Sequence, residues 1–240
     1  MMLKGEHLQV GYRNSKEDHV LLNDLNFSVE QGNVVALMGA NGSGKSSLLK
    51  IISGIHSPLS GDVFINEKNT KQFNPADWSQ QVSVVLTSVP EMGEMDVYGL
   101  ISLGRFPYTG WRGKLAESDL LQIEKVLEET GLSQLAFRKV DQLSDGEKQR
   151  VMIARALAQD TPIVLLDEPT AFLDLSARRT VANLIKKSAK ESGRLFIFST
   201  HETELALQTA DRFWIIGNEK NFYSCVGADD ARHVLQREFA

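Results

Sequence analysis

The chain has a single cysteine, Cys225, among 240 residues, so no disulfide can form within it, which fits a reducing compartment. No stretch approaches the ~18 consecutive apolar residues of a membrane span. The opening residues, Met1 to His7, have no apolar segment long enough for a secretory signal. Basic charge is also scarce: 26 Lys and Arg stand against 31 Asp and Glu, a net charge of −5. That balance argues against nucleic acid as a partner, because such binding depends on basic surface. Internal repeats and low-complexity tracts are absent. What remains is an ordinary globular composition, 42% hydrophobic and 24% charged. The length allows one sizeable core, or a core with an inserted subdomain. If such a protein serves a membrane, it does so through a partner.

The densest chemistry lies in the run Leu37-Met38-Gly39-Ala40-Asn41-Gly42-Ser43-Gly44-Lys45-Ser46-Ser47. An apolar run, Val34 to Met38, precedes it, and a helical-looking one, Leu48 to Ile52, follows. Strand, glycine loop and helix in that order make a phosphate cradle. Gly39, Gly42 and Gly44 let the backbone turn back and aim the amides of the loop, Asn41, Ser43 and Ser47 included, at one anion. The helix start adds partial positive charge. Lys45 reaches the outer phosphates, and the Ser46 hydroxyl is a ligand for a bridging Mg2+. A nucleoside triphosphate is the expected ligand. The bland alternative is a glycine turn capping a strand; the buried-type strand before the loop and the helix after it weigh against that reading.

Around this loop the pattern is α/β. Leu3 to Val10 reads as a strand closed by Gly11-Tyr12 and a polar loop, and Asn23 to Glu30 alternates as a half-buried strand. Gly61 to Asn66 and Val82 to Leu86 read as further strands. From about Ser88 to Asp160 helical periodicity takes over, with Met95–Leu103, Asp119–Thr130 and Asp145–Gln159 as helices. Ser118 and Ser144 stand at cap positions, and Gly131 at a helix stop. A βα alternation then resumes through Pro162–Asp167, Ser176–Ser192, Leu195–Thr200, Glu202–Thr209 and Arg212–Ile216. This predicts a largely parallel sheet covered on both faces, with an all-helical insertion.

Ligands of open α/β sheets gather at the carboxyl ends of strands. Asp167 and Glu168 end one apolar strand, and adjacent side chains on extended backbone point different ways. One carboxylate is then free to hold Mg2+ while the other orients and deprotonates water; a polar turn or cap is the plainer use of two such acids. His201 follows another strand and is a candidate to touch the outer phosphate or the water, although a lone histidine is commonly structural. Ser144 with Glu147 fits a capping box, and the same helix start, with Gly146, offers a second anion site.

Taken together, these motifs resemble the ATP-binding subunit of an ATP-binding cassette (ABC) transporter, from about Leu3 to Trp214. Gly39–Ser46 is similar to the Walker A motif, Ile163–Glu168 to the Walker B, and Leu143–Glu147 to the signature sequence. Ala171–Asp174 resembles the D-loop, His201 the switch histidine, and Tyr12 the aromatic that stacks on adenine. The resemblance implies a P-loop NTPase (RecA-like) core, here 1–87 and 161–240, with an antiparallel β subdomain and an inserted helical subdomain, 88–160. It implies ATP and Mg2+ as cofactors, and two copies packed head to tail. Ser144, Gly146 and Asp174 of one copy then meet ATP held by the other. Hydrolysis coupled to transport follows, through permease subunits fed indirectly by a substrate-binding protein, at the cytoplasmic side of the inner membrane. Leu103-Gly104-Arg105-Phe106-Pro107-Tyr108 with Gly110-Trp111 is similar to importers of ferric siderophores, haem or cobalamin. A soluble ABC ATPase, as in iron–sulfur cluster assembly, is the alternative; a regulator without turnover is disfavoured by Glu168.

Two departures stand out. Thr87 occupies the place of the family's Q-loop glutamine, with Gln80 and Gln81 too early, so Thr87 joins Ser46 and Asp167 as an expected Mg2+ ligand, directly or through water. The signature carries Asp145 and Glu147 where Gly and Gln are commonest. Both acids suit a helix N-terminus and are expected to face away from any phosphate.

Overall fold

A computed structural model describes residues 2–13, 17–87 and 92–239. Its centre is a six-stranded sheet in the order β10-β9-β3-β8-β7-β6, formed by β3 (Val34–Gly39), β6 (Val82–Val85), β7 (Ile163–Leu166), β8 (Leu195–Thr200), β9 (Arg212–Ile216) and β10 (Phe222–Val226). All neighbours pair parallel except β10, which runs antiparallel to β9. Every residue of β7 and β8 is buried, as expected for strands covered on both faces. A second, antiparallel sheet in the order β2-β1-β4-β5 contains β1 (Met2–Arg13), β2 (Asp18–Glu30), β4 (Ser60–Ile65) and β5 (Lys68–Asn69). Its apolar side and α1 (Lys45–Ile52) form one core with one face of the central sheet, through Leu25, Phe27, Leu37, Leu48 and Trp214. Helices α3 (Val97–Ser102), α4 (Glu117–Glu129), α5 (Asp145–Ala158) and α6 (Leu175–Ser192) share the other core with the opposite face, through Val85, Leu100, Ile123, Ile153 and Phe198. The remaining helices are α2 (Pro75–Ser79), α7 (Thr203–Thr209) and α8 (Ala228–Phe239).

Several expected boundaries move. β1 runs on through Gly11 and Tyr12, which pair with Val20 and His19 instead of closing a loop. Gly11 permits this because a Cβ there would lie 2.2 Å from the His19 carbonyl oxygen. Ser118 does not cap α4. The N-cap is Ala116, whose N–H donates to Asp119 Oδ2 at 2.8 Å, so Asp119 supplies the cap. Ser144 and Gly131 stand where expected, as the N-cap of α5 and the left-handed residue after α4. The tail beyond Trp214, which carries little sequence pattern, adds β10 to the sheet edge and lays α8 against β9 and β10.

The run Leu103–Tyr108 forms a 3₁₀ turn after α3 and has a packing role. A Cβ at Gly104 would lie 2.3 Å from the Arg155 carbonyl oxygen, so α5 passes close beneath it. Arg105 is buried; its Nε donates to Asp119 Oδ1 at 2.9 Å and its Nη1 to the Ala158 carbonyl at 2.7 Å. This pair ties the starts of α4 and the turn to the end of α5. Removing one partner of a buried ion pair leaves the other uncompensated. Asp119→Ala is therefore expected to lower unfolding free energy by about 3–5 kcal/mol in urea titrations; a loss below ~1 kcal/mol would assign the pair no more weight than a surface contact.

Candidate functional site

The carboxyl ends of β3, β7 and β8 lie side by side, in register at Met38 with Thr200 and at Leu166 with Phe198. Three segments therefore leave the sheet at one place: the loop after Gly39, the acids Asp167 and Glu168, and His201. In the loop, Gly42 (φ 77°) and Gly44 (φ 107°) hold left-handed backbone, and Gly44 is the N-cap of α1 with no side chain to occupy the first amides. Asn41 and Gly42 are exposed at its tip. A Cβ at Gly39 would lie 2.8 Å from Ser43 Oγ. That hydroxyl is buried without a hydrogen-bond partner among the described residues.

Lys45 is only 5% exposed. Its Nζ donates to the carbonyls of Gly39 (2.9 Å) and Ala40 (3.0 Å) and lies 3.9 Å from Glu168 Oε1. Burial pushes its pKa below the usual lysine value, and the carboxylates of Glu168 and Asp167 oppose that shift. The Ser46 hydroxyl donates to Asp167 Oδ1 at 3.0 Å. Two ligands of an octahedral ion at about 2.1 Å sit about 3 Å apart, so this hydroxyl–carboxylate pair fits two adjacent positions on Mg2+. The donors are hard oxygens, and no cluster of three His, Cys, Asp or Glu competes for a metal among the described residues. Thr87 lies at a bend two residues beyond Val85, whose carbonyl accepts the Asp167 N–H at 2.8 Å, so it leaves the sheet beside the acids. Residues 88–91, where the connection to the helices begins, lie outside the described residues.

Glu168 adopts left-handed backbone (φ 48°), and its carboxylate lies between Lys45 and His201, whose Nδ1 is 3.4 Å from Glu168 Oε2. At the far side of α1, the Tyr12 hydroxyl and Ser47 Oγ are 2.5 Å apart, and the Tyr12 ring is 46% exposed. The half-open ring beside the loop is a surface on which a planar group can lie.

Ser144, Gly146 and Asp174 gather elsewhere. They line a cavity of about 360 Å³ with Glu147, Ser176 and Thr180, between the N-termini of α5 and α6. A Cβ at Gly146 would lie 2.9 Å from that of Ala177, so glycine lets the two helix starts approach. Asp174 caps α6 by accepting from the Ala177 N–H at 2.8 Å. The expectation that Glu147 faces away from this site does not hold. Its Oε2 accepts from both the N–H and the hydroxyl of Ser144 at 2.8 Å, and the first of these bonds chiefly lowers its pKa. A carboxylate thus occupies the donors that a second anion would use.

Sequence reading passed over Ser199. This fully buried hydroxyl donates to Asp167 Oδ1 at 2.6 Å and accepts from the Glu168 N–H at 2.8 Å, fixing both acids at once. Its only sequence signal is a hydroxyl ending an apolar strand two residues before His201. Thr170, Glu202 and Arg178 were missed as well: Glu202 accepts from Thr170 Oγ1 (3.1 Å) and Arg178 Nη1 (2.7 Å), pinning the loop after Glu168.

A family model described as "ABC transporter" matches residues 22–171. The chain is 36% identical over 221 residues to the achromobactin transport ATP-binding protein of Dickeya dadantii, covering 92% of this chain and 80% of that one. It is 37% identical over 200 residues to the iron(3+)-hydroxamate import ATP-binding protein of Bacillus subtilis, covering 83% and 73%. Among solved structures, a dimeric post-hydrolysis ATP-binding cassette bound to ADP and Pi superposes with a TM-score of 0.76 at 28% identity, covering 89% of this chain and 93% of that one.

Removing Ser199's hydroxyl frees Asp167 and the Glu168 amide without touching the loop. Ser199→Ala is expected to reduce Mg2+-dependent ATP hydrolysis about 10- to 100-fold, the usual cost of losing an outer-shell partner, with metal-free ATP affinity unchanged. Hydrolysis within twofold of the parent would show that the acids are held without it.

Proposed function

The chain belongs to the ABC transporter family and is one of its ATP-binding, ATP-hydrolysing subunits, and on that premise we propose that it powers import of an iron chelate, haem or cobalamin through a partner permease. The observation that carries the chemical part is the convergence of Lys45, Ser46, Asp167, Glu168 and His201 at the ends of three parallel strands. The triphosphate lies along residues 39–47, with the Lys45 ammonium on its outer phosphates and Tyr12 under the base. Ser46, Asp167 and Thr87 would hold Mg2+, and the ion would supply positive charge against the phosphates. Glu168 accepts a proton from the attacking water, and His201 steadies that water or the departing phosphate through its exposed nitrogen.

The anion site at Ser144 and Gly146 shares no lining residue with the cavity beside Gly39 and Ala40. A second copy, packed head to tail, brings the one to the other. ATP then favours the closed pair because only that state offers it both anion sites, and hydrolysis removes the preference. The helical segment acts as the subdomain that carries the second site toward its partner. No described helix is long and apolar enough to cross a membrane, so contact with the permease at the cytoplasmic face is what places the subunit there. The siderophore class rests on the two relatives with achromobactin and hydroxamate in their names and on the Leu103–Tyr108 run.

Lys45→Ala is expected to lose most ATP affinity in calorimetry; unchanged binding would remove the loop from the nucleotide site. Glu147→Gln keeps the cap but removes a negative charge from the Ser144 donors, and is expected to tighten ATP-driven pairing several-fold at neutral pH. Weaker pairing would mean that the acid assists the phosphate. For the cargo, cells lacking this gene are expected to lose uptake of one labelled ferric siderophore, haem or cobalamin. Retention of all three would contradict the import assignment.

A further inference from the structure

The last turn of α8 ends near the phosphate loop, and a largely buried carboxylate fixes it there. The Glu238 side chain is 12% exposed. Its Oε1 accepts from the Tyr223 hydroxyl at 2.7 Å, and its main-chain carbonyl accepts from Asn218 Nδ2. Arg237 Nε lies 3.4 Å from the same Oε1, and the guanidinium sits 4.9 Å from the centre of the Tyr223 ring. The carboxylate is thus paired and held in one geometry. Its second oxygen packs on buried Gly217, where a Cβ would lie 2.1 Å from Oε2. Glycine is what lets the acid approach the main chain so closely.

Gly217 opens the turn between β9 and β10, its N–H donating to the Asn221 carbonyl at 2.9 Å. The residue before it, Ile216, is the register partner of Gly39 in the parallel pair of β9 with β3. A Cβ at Gly39 would lie 3.0 Å from the Ile216 carbonyl oxygen, so β9 closely flanks the chain where the phosphate loop begins. The Gly39 carbonyl is one of the two that hold the Lys45 ammonium, at 2.9 Å. A continuous series of contacts and chain bonds therefore runs from Glu238 through Gly217, Ile216 and Gly39 to Lys45. On the direct route a cavity of about 440 Å³ stands between Leu235 and Phe239 of α8 and Ala40 and His201 of the site. The helix bears on the loop around that gap, by way of the turn.

We propose that Glu238 is a positioning residue for the phosphate loop: with Tyr223 it latches the end of α8 onto Gly217, and through Ile216 it sets the place of Gly39 and of the ammonium that Gly39 holds. The inference rests on the reading of residues 39–47 as the triphosphate site and adds to it a support 37 or more residues beyond the last of the strands that carry the acids. Packed side chains and hydrogen bonds of this kind carry coupling between separated points. Release of the latch leaves the fold's two cores intact, because neither Glu238 nor Gly217 belongs to them. What it loosens is the exit of β3, and with it the grip on phosphate.

The test is steady-state ATP hydrolysis by the full chain, at a temperature where circular dichroism shows every variant folded. The loop holds phosphate in the ground state and the transition state alike, so its loosening should raise KM and leave kcat within about twofold. Glu238→Ala is expected to raise KM for MgATP at least threefold, roughly. Tyr223→Phe removes a single hydroxyl and keeps the ring, so it tests the same latch should the alanine variant not fold; its KM should rise in the same direction. The double variant should exceed Glu238→Ala by less than the product of the two single effects, since both remove one hydrogen bond. Glu238→Gln keeps an acceptor for Tyr223 and should restore KM to within about twofold of the parent. A merely structural role would lower the unfolding midpoint and leave KM where it was. KM changed less than about threefold in both Glu238→Ala and Tyr223→Phe would overturn the latch while leaving the phosphate loop's assignment standing. A parent that neither binds nor hydrolyses ATP would remove both.

Discussion

A lysine ammonium shut away from water is the constraint on which the site depends. Lys45 is almost fully buried at the first position of α1, and its hydrogen-bond partners are two main-chain carbonyls of the loop that encloses it. Carbonyls satisfy its donors but do not neutralise its charge. Glu168 and Asp167 supply part of the balance from the end of β7. A triphosphate would supply more, at the point where the amides of the same loop also converge. The glycine backbone, the apolar strand β3 and the acids ending β7 are each needed to place that one cation, and the rest of the fold holds them in register.

The insertion of helices is bound to the sheet by a second set of buried polar contacts. Arg155 of α5 donates to the Val84 carbonyl at 2.9 Å, and Gln159, just past α5, donates to the Ser79 and Val82 carbonyls. Two of these carbonyls belong to β6, the strand that leads to Thr87, and the third ends α2 just before it. Where relatives of this family are expected to carry a glutamine, the shorter threonine has less reach, yet α5 remains anchored to the same strand from its other end. The start of α5, with Ser144, is thereby positioned relative to the acids through β6 and its neighbour β7.

Much of this was legible in the sequence, and the failures have physical causes. The phosphate loop and the buried strands were clear because strand, glycine turn and helix follow one another without interruption, so local pattern and tertiary role coincide. β10 was not, because Phe222 to Val226 has no strong alternation and becomes a strand only by pairing with β9. The Ser118 cap failed because Asp119 satisfies the Ala116 amide and Arg105 together, a demand set by a residue 14 positions away. Glu147 was expected to avoid the signature donors, but its own capping bond turns it onto Ser144. Ser199 was invisible because a hydroxyl at a strand end carries no pattern until two strands lie side by side.

In the proposed head-to-tail pair, one nucleotide site is assembled from two chains. Mixing two variants expected to be inactive tests this most directly: Lys45→Ala, which lacks the loop's cation, and Ser144→Arg, which fills the proposed second anion site. Random pairing makes about half the dimers mixed, each with one intact site, so the mixture should recover about a quarter of the parent's ATPase rate. A mixture no more active than the sum of its two components would contradict the account.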